Sequence, residues 1–162
     1  MSTSSQPMTS ADLQRFINAH DIEATILHLD DHTPTVPDAA RALGVETDQI
    51  IKSLVFRLHD EPLLVINNGT ARIDRRKLAA ALEVGRKRVK FADADQALAF
   101  TGFVVGAMPP FGHLRKLRTL VDPAVLTQTV IFGGGGDINA MMRVTPVELM
   151  RVANAEQAAV SE

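Results

Sequence analysis

The sequence predicts an α/β domain built on a mixed, curved β-sheet surrounded by helices. Three observations predict it. Runs with strand character, such as Ile50–Leu58, are interleaved with segments of helical i, i+3, i+4 spacing such as Leu13, Phe16 and Ile17. Several strands return through short turns and so pair antiparallel, which argues against a doubly wound parallel sheet. A chain of 162 residues, 46% hydrophobic and 22% charged, suits one domain with one substantial core.

Taken in order, the first nine residues are polar and read as a loose tail. A helix is expected over residues 10–20, capped by Thr9 or Ser10, and a strand over 24–29. Thr35 caps a second helix with Pro37 in its first turn, and Gly44 ends it in a left-handed conformation. The Ile50–Leu58 strand turns at residues 59–62 and returns as Leu63–Asn67, a hairpin apolar enough to lie centrally in a sheet. Asp74 caps a helix running to about Leu82, with Gly85 closing it. A basic, extended segment over 86–91 and a helix over 94–100 follow. Strands are expected at 118–121, 129–132 and 138–144, with Gly133–Gly136 as a loop between the last two. Thr145-Pro146-Val147-Glu148 is a capping box that opens a final helix. The domain is expected to span 10–155, with 156–162 as a short C-terminal tail.

Composition excludes several classes of chemistry. Without cysteine there is no disulfide, thiol nucleophile or thiolate metal site. No apolar run approaches the ~20 residues of a membrane span, and the N-terminus lacks a signal-peptide pattern, so a cytoplasmic protein is expected. Charge is unevenly spread: between Arg72 and Arg118 stand eleven Lys or Arg against four Asp or Glu, and elsewhere six against fifteen. Such a stretch either offers an electropositive face to a polyanion or is a solvated face balanced in space.

Lys52 is the most informative residue. Side chains alternate along a strand, so Lys52 shares the more apolar face with Ile50, Leu54, Phe56 and Leu58. An ammonium there is either a snorkelling or ion-paired structural group, or the cation of a partly wet ligand pocket. Ser53 points to the other face, which makes a serine–lysine dyad geometrically poor. The second feature is the loop Gly106-Ala107-Met108-Pro109-Pro110-Phe111-Gly112. Glycine admits close backbone approach and the prolines stiffen the loop, so the amides of Ala107, Met108, Phe111, Gly112 and His113 are candidate donors to an oxyanion. Alone, it reads better as an ordinary surface turn. Gly133–Gly136 lacks the Lys-Ser/Thr of a phosphate-binding loop, and Gly134, Asp137 and Asn139 are candidates for lining a pocket. His28 and His32, split by a strand-to-loop break, lack metal-site geometry. His113, beside the proline loop, is a candidate RNA contact or proton shuttle.

Ile50-Ile51-Lys52-Ser53-Leu54-Val55-Phe56, Thr101 through Gly112, and a late glycine loop before Thr-Pro-Val-Glu-Leu together resemble the YbaK/ProX family. These are free-standing aminoacyl-tRNA deacylases related to the editing insertion of bacterial prolyl-tRNA synthetases. The likeness runs from about Thr35 to Val152. It implies a barrel-like curved sheet and hydrolysis of the ester that joins a wrong amino acid to the tRNA 3′ end, with no cofactor and no metal. The family lysine maps to Lys52, and the glycine and proline of its GxxxP loop to Gly106 and Pro110. Met108-Pro109 departs from the small residue and Ser or Thr of many members. The resemblance thus implies Lys52, Gly106 and Pro110 as catalytic, and the reading of the residues adds the loop amides of Ala107 and Met108. Phe111, Gly112, His113, Gly134, Asp137 and Asn139 are candidate substrate contacts from the residues, with the roles of Asp137 and Asn139 open because the family's final loop varies. Arg75, Arg76, Lys77, Arg86, Lys87, Arg88, Arg115 and Lys116 are the candidate contacts to the tRNA backbone. The expected partner is a mischarged tRNA, for proline and a wrong small amino acid, with prolyl-tRNA synthetase as a second candidate. The competing readings are a non-catalytic tRNA- or synthetase-binding adaptor, and a small-molecule esterase or phosphate-binding protein.

Overall fold

The computed structural model describes residues 6–162. The helices are α1 (Ser10–Ala19), α2 (Val36–Leu43), α3 (Arg75–Ala81), α4 (Ala94–Thr101) and α5 (Pro146–Ala153). The strands are β1 (Ala24–His28), β2 (Ile51–Leu58), β3 (Glu61–Asn68), β4 (Val89–Phe91), β5 (Arg118–Val121), β6 (Ile131–Gly134), β7 (Ala140–Val144) and β8 (Glu156–Gln157).

The strands form two sheets, one of order β4-β2-β3-β5-β8 and one of order β1-β7-β6. The larger sheet is mixed, because β5 runs parallel to both β3 and β8 while β2 pairs antiparallel with β3 and β4. An isolated parallel bridge between Ile50 and Phe132 seams the two sheets. The expected mixed sheet is present. Among the described residues no further ladder closes it into a barrel.

Alternation along β2 explains how one strand serves two cores. Ile51 and Val55 face a cluster containing Leu64, Ile66, Phe111 and Met142. Leu54, Phe56 and Leu58 face a second cluster with Leu63 and Val65, closed by Leu78 and Leu82 at α3. Ala39 and Ala40 of α2 pack on Ile50 and Phe132, which covers the seam. The helices begin where cap chemistry places them. Thr9, Thr35, Asp74, Asp93 and Thr145 each accept a bond from an amide in the first turn, and each such cap stabilises by about 1 kcal/mol.

Three expectations need correction. Gly133 and Gly134 belong to β6, paired with Met142 and Met141, and are not loop. Their lack of side chains is used for close packing. The left-handed residue after α3 is Glu83 at φ +58°, so Gly85 is not what ends that helix. Residues 156–162 are not a tail. β8 extends the large sheet, and Val160 is fully buried. The Asp122 carboxylate accepts from the amides of Val160 at 2.9 Å and Ser161 at 3.0 Å. At the other end, residues 1–5 of the expected nine-residue tail lie outside the described residues. Met8 donates its amide to the Gly102 carbonyl at 2.7 Å, so the chain is attached before α1 begins. Among the described residues no helix is long and apolar enough to cross a membrane.

Burial works to raise the Asp122 pKa, but the amides of Ala124, Val160 and Ser161 and the Ser161 hydroxyl together hold it below the ordinary 3.8. A carboxyl depressed by folding stabilises above its unfolded pKa, and that contribution fades as pH falls through the folded value. Asp122→Ala is expected to lose about 1–3 kcal/mol at neutral pH, because the amides of the C-terminal strap go unpaired. The deficit should shrink below pH 3.8, as thermal melts of both proteins across pH 2–7 will report.

Candidate active site

Lys52 lies near the start of β2, opposite Asn67 of β3. Its ammonium donates to the Ala71 carbonyl, which also accepts from Asn67 Nδ2 at 3.0 Å. Asn67 Nδ2 reaches the Ser161 hydroxyl as well, at 3.2 Å, so the strap that Asp122 pins also helps to hold the Lys52 surroundings. Burial pushes the Lys52 pKa down, and among the described residues no carboxylate pairs with it. A half-buried cation without a counter-ion favours an anion or a polarised oxygen at its side.

The cavity beside it follows from the sheet. β4 covers only Phe56–Leu58 of β2, leaving the first half of the strand as an open edge. There a cavity of about 560 Å³ is lined by Lys52, Ser53 and Leu54, by Ala92–Ala94 at the start of α4, by Val105, Gly106 and Met108, and by Gly134. Lys52 and the glycine–proline loop, 54 residues apart at Gly106, therefore share one cavity. Ser53 lines it too, although its side chain leaves the other face of the strand, because an edge is open to both faces. Its hydroxyl is buried with no hydrogen-bond partner among the described residues.

Gly106 adopts φ +97° and has no atom within 4 Å of where a Cβ would stand. Its conformation, and not crowding, selects glycine. The Ala107 amide does not supply the expected oxyanion donor. It closes a turn onto the Val104 carbonyl at 3.1 Å, and the residue is fully buried. The Gly106 and Met108 amides have no protein acceptor among the described residues. The loop is held from behind by the glycine run. A Cβ on Gly134 would stand 2.1 Å from the Met108 carbonyl oxygen, and one on Gly133 would stand 3.6 Å from Pro110 Cδ. Gly136 donates its amide to the Ala107 carbonyl at 3.0 Å.

The remaining candidates lie elsewhere. Phe111 is in the core, and Gly112, at φ +83°, is packed by Leu13 and Phe16. His113 is bonded to the Pro109 carbonyl at 2.8 Å. Burial lowers its pKa to about 4 despite that bond, so it is a neutral, structural imidazole. These three residues line a separate cavity of about 390 Å³ with Phe16, His20 and Lys116, and none lines the Lys52 cavity. Asp137 accepts from the Ser10 hydroxyl at 2.5 Å and fastens α1. The Asn139 carbonyl accepts from the Leu29 amide at 2.7 Å, and its side-chain amide donates to the Leu29 carbonyl at 3.3 Å, which fixes the end of β1. Neither Asp137 nor Asn139 lines the Lys52 cavity.

Of the basic candidates, Arg75 bonds the Val89 carbonyl, Lys77 the Ser161 carbonyl and Arg115 stacks 5.5 Å over Phe100. Arg76, Arg86, Lys87, Arg88 and Lys116 are exposed. Among the described residues no cluster of three His, Cys, Asp or Glu forms a metal site, at His28 and His32 or elsewhere. Sequence reasoning missed Ser53 and Phe91 as cavity residues. An aromatic ending a basic segment was a signal for the second, and only the sheet edge reveals the first.

Lys52 and the loop residues Gly106 and Met108, whose amides have no protein acceptor among the described residues, thus line one cavity. Residues 30–152 match the sequence model of the aminoacyl-tRNA editing domain, and the chain belongs to that family. It is 27% identical over 128 residues to the uncharacterized protein YwhH of Bacillus subtilis, covering 78% of this chain and 80% of YwhH. It is 33% identical over 95 residues to the proline–tRNA ligase of Maridesulfovibrio salexigens, covering 59% of this chain but only 16% of that enzyme. A solved structure of a candidate trans-editing enzyme for prolyl-tRNA synthetase superposes with a TM-score of 0.89 at 29% identity, covering 98% of this chain and 99% of that one.

Two glycine substitutions separate conformation from contact. Gly106→Ala should cost about 1–3 kcal/mol through backbone strain alone. Gly134→Ala forces β6 and the Met108 carbonyl apart and should cost a similar overpacking penalty while displacing the loop. Chemical denaturation measures both costs. A methyl accepted at 134 without loss would show that the loop does not depend on this approach.

Proposed function

We propose that this chain is a trans-acting aminoacyl-tRNA deacylase that hydrolyses the ester of a mischarged tRNA, with a tRNA for proline carrying a wrong small amino acid as its substrate. The observation that carries this reading is the shared cavity of Lys52, Gly106 and Met108.

An aminoacyl ester is already activated, so attack by a positioned water suffices and no protein nucleophile is needed. Water adds to the ester carbonyl, and the resulting oxyanion takes hydrogen bonds from the Gly106 and Met108 amides. Donors fixed before the reaction stabilise such charge by several kcal/mol in a site that excludes water. Lys52 turns from the Ala71 carbonyl to the substrate and supports the same negative charge or a terminal phosphate. Collapse of the tetrahedral adduct breaks the bond to the ribose oxygen, which takes one of the two protons brought by the water and becomes the hydroxyl of free tRNA, while the other proton passes to solvent and the amino acid leaves as its carboxylate. Among the described residues Asp93 is the one carboxylate lining the cavity, and it caps α4 by accepting from the Gln96 amide at 2.8 Å.

The walls contributed by Val36, Ala39, Ile50 and Met141 select the amino acid by size. One methylene is worth about 1–3 kcal/mol in such a pocket, so neighbouring small residues are separated modestly. Exposed Arg86, Lys87 and Arg88 engage phosphates, which makes affinity fall with salt and depend little on sequence.

The test is incubation with alanyl-, cysteinyl- and seryl-tRNA for proline, with ester loss as the readout. At least one should be hydrolysed, and Lys52→Ala should slow it by about 100-fold or more at an unchanged melting temperature. Full activity in Lys52→Ala, or no hydrolysis of any of the three, overturns the reading.

A further inference from the structure

The rim of the cavity carries two large apolar side chains that folding leaves outside. Phe91 is 60% exposed and Val105 is 63% exposed, and both line the cavity. Phe91 ends β4 opposite Phe56, which places it on the same face as Lys52. Its ring meets Phe56 edge-on at 5.1 Å between centroids and 64° between planes. That contact orients the ring while most of its surface stays in water.

The neighbours of Phe91 indicate what covers it. Arg86, Lys87 and Arg88 form the turn that leads into β4, and Lys90 precedes Phe91 on the strand. All four are exposed, and among the described residues none forms an ion pair. A protein-binding patch surrounds an aromatic anchor with further apolar groups and is depleted of lysine. An aromatic ring set among unpaired cations beside a cavity matches single-stranded nucleic acid, whose bases stack while its phosphates are neutralised. Strand geometry separates Phe91 from Lys52 by roughly 14 Å between Cα atoms, four residues along β2 and one strand across. That leaves room for a terminal nucleoside between them.

We propose that Phe91 is a stacking platform for an unpaired base of the RNA 3′ end, with Arg86, Lys87, Arg88 and Lys90 on the adjoining phosphates. The platform holds the strand so that its last ribose enters the Lys52 cavity. The proposal rests on the deacylase reading for its choice of an RNA 3′ end, and its test requires no hydrolysis.

The chain contains neither tryptophan nor tyrosine, so Phe91→Trp makes the platform the sole indole of the protein. Uncharged RNA ending in CCA, labelled at its 5′ end, is titrated while anisotropy reports binding and indole emission reports stacking. Emission should be quenched in step with binding. Phe91→Ala should weaken binding about 10- to 100-fold, and Phe91→Tyr should restore it. RNA with abasic 3′ positions should bind the wild type and Phe91→Ala equally. Wild-type affinity in Phe91→Ala, unchanged emission at saturating RNA, or no RNA binding by the wild type overturns the proposal. Emission that ignores RNA but shifts on mixing with prolyl-tRNA synthetase assigns the ring to a protein contact and also overturns it. If stacking is seen but no ester is hydrolysed, the deacylase reading fails alone. If hydrolysis proceeds without stacking, the platform fails alone.

Discussion

The site depends on one close approach of backbone to backbone. β6 and the turn after it run against the 106–110 loop with no side chain between them, and at Gly134 there is no space for even a methyl group beside the Met108 carbonyl. Gly133 meets Pro110 and Ile51, and Gly136 bonds the Ala107 carbonyl. The loop is thereby clamped to the small sheet, while the Ile50–Phe132 bridge joins that sheet to the strand carrying Lys52. Two segments distant in sequence are held in register by this seam, and the cavity lies between them.

The same seam explains why the cavity stays open. A strand at the edge of a sheet offers unpaired backbone groups and access from both faces. β4 is short, so the first half of β2 remains such an edge, and α4 begins beside it without covering it. Lys52 is then buried enough for its charged form to be disfavoured, yet lines a cavity that a ligand can enter. Its ammonium donates to the Ala71 carbonyl. Ala71, Asn67 and Ser161 connect this position to Asp122 and the C-terminal strap, so the last residues of the chain support the site from outside it.

Much of the fold was legible because it is written in local chemistry. Thr9, Thr35, Asp74 and Thr145 sit where caps were expected, and alternation in β2 assigned Lys52 to the face of Leu54 and Phe56. What was not legible depends on packing between distant segments. Gly133 and Gly134 look like loop formers in sequence, and only the Met108 carbonyl opposite them shows why they lie in a strand. Phe111, Gly112 and His113 stand at the end of the loop in sequence, but they line another cavity, with Gly112 against Leu13 and Phe16 of α1. Composition makes 156–162 look like a tail, and the partner that orders it, Asp122, is 38 residues from Val160. Ala107 reads as a free donor until the turn onto Val104 is seen.

The central claim is that Lys52 and the Gly106 and Met108 amides act on one carbonyl in one cavity. The most direct measurement is a crystal structure with an aminoacyl-adenosine analogue whose ester is replaced by an amide. The account predicts the acyl oxygen about 2.7–3.1 Å from those amides, with the Lys52 ammonium moved from Ala71 onto the ligand. An analogue seated in the His113 cavity, or bound beside Gly106 with Lys52 still on Ala71, would contradict it.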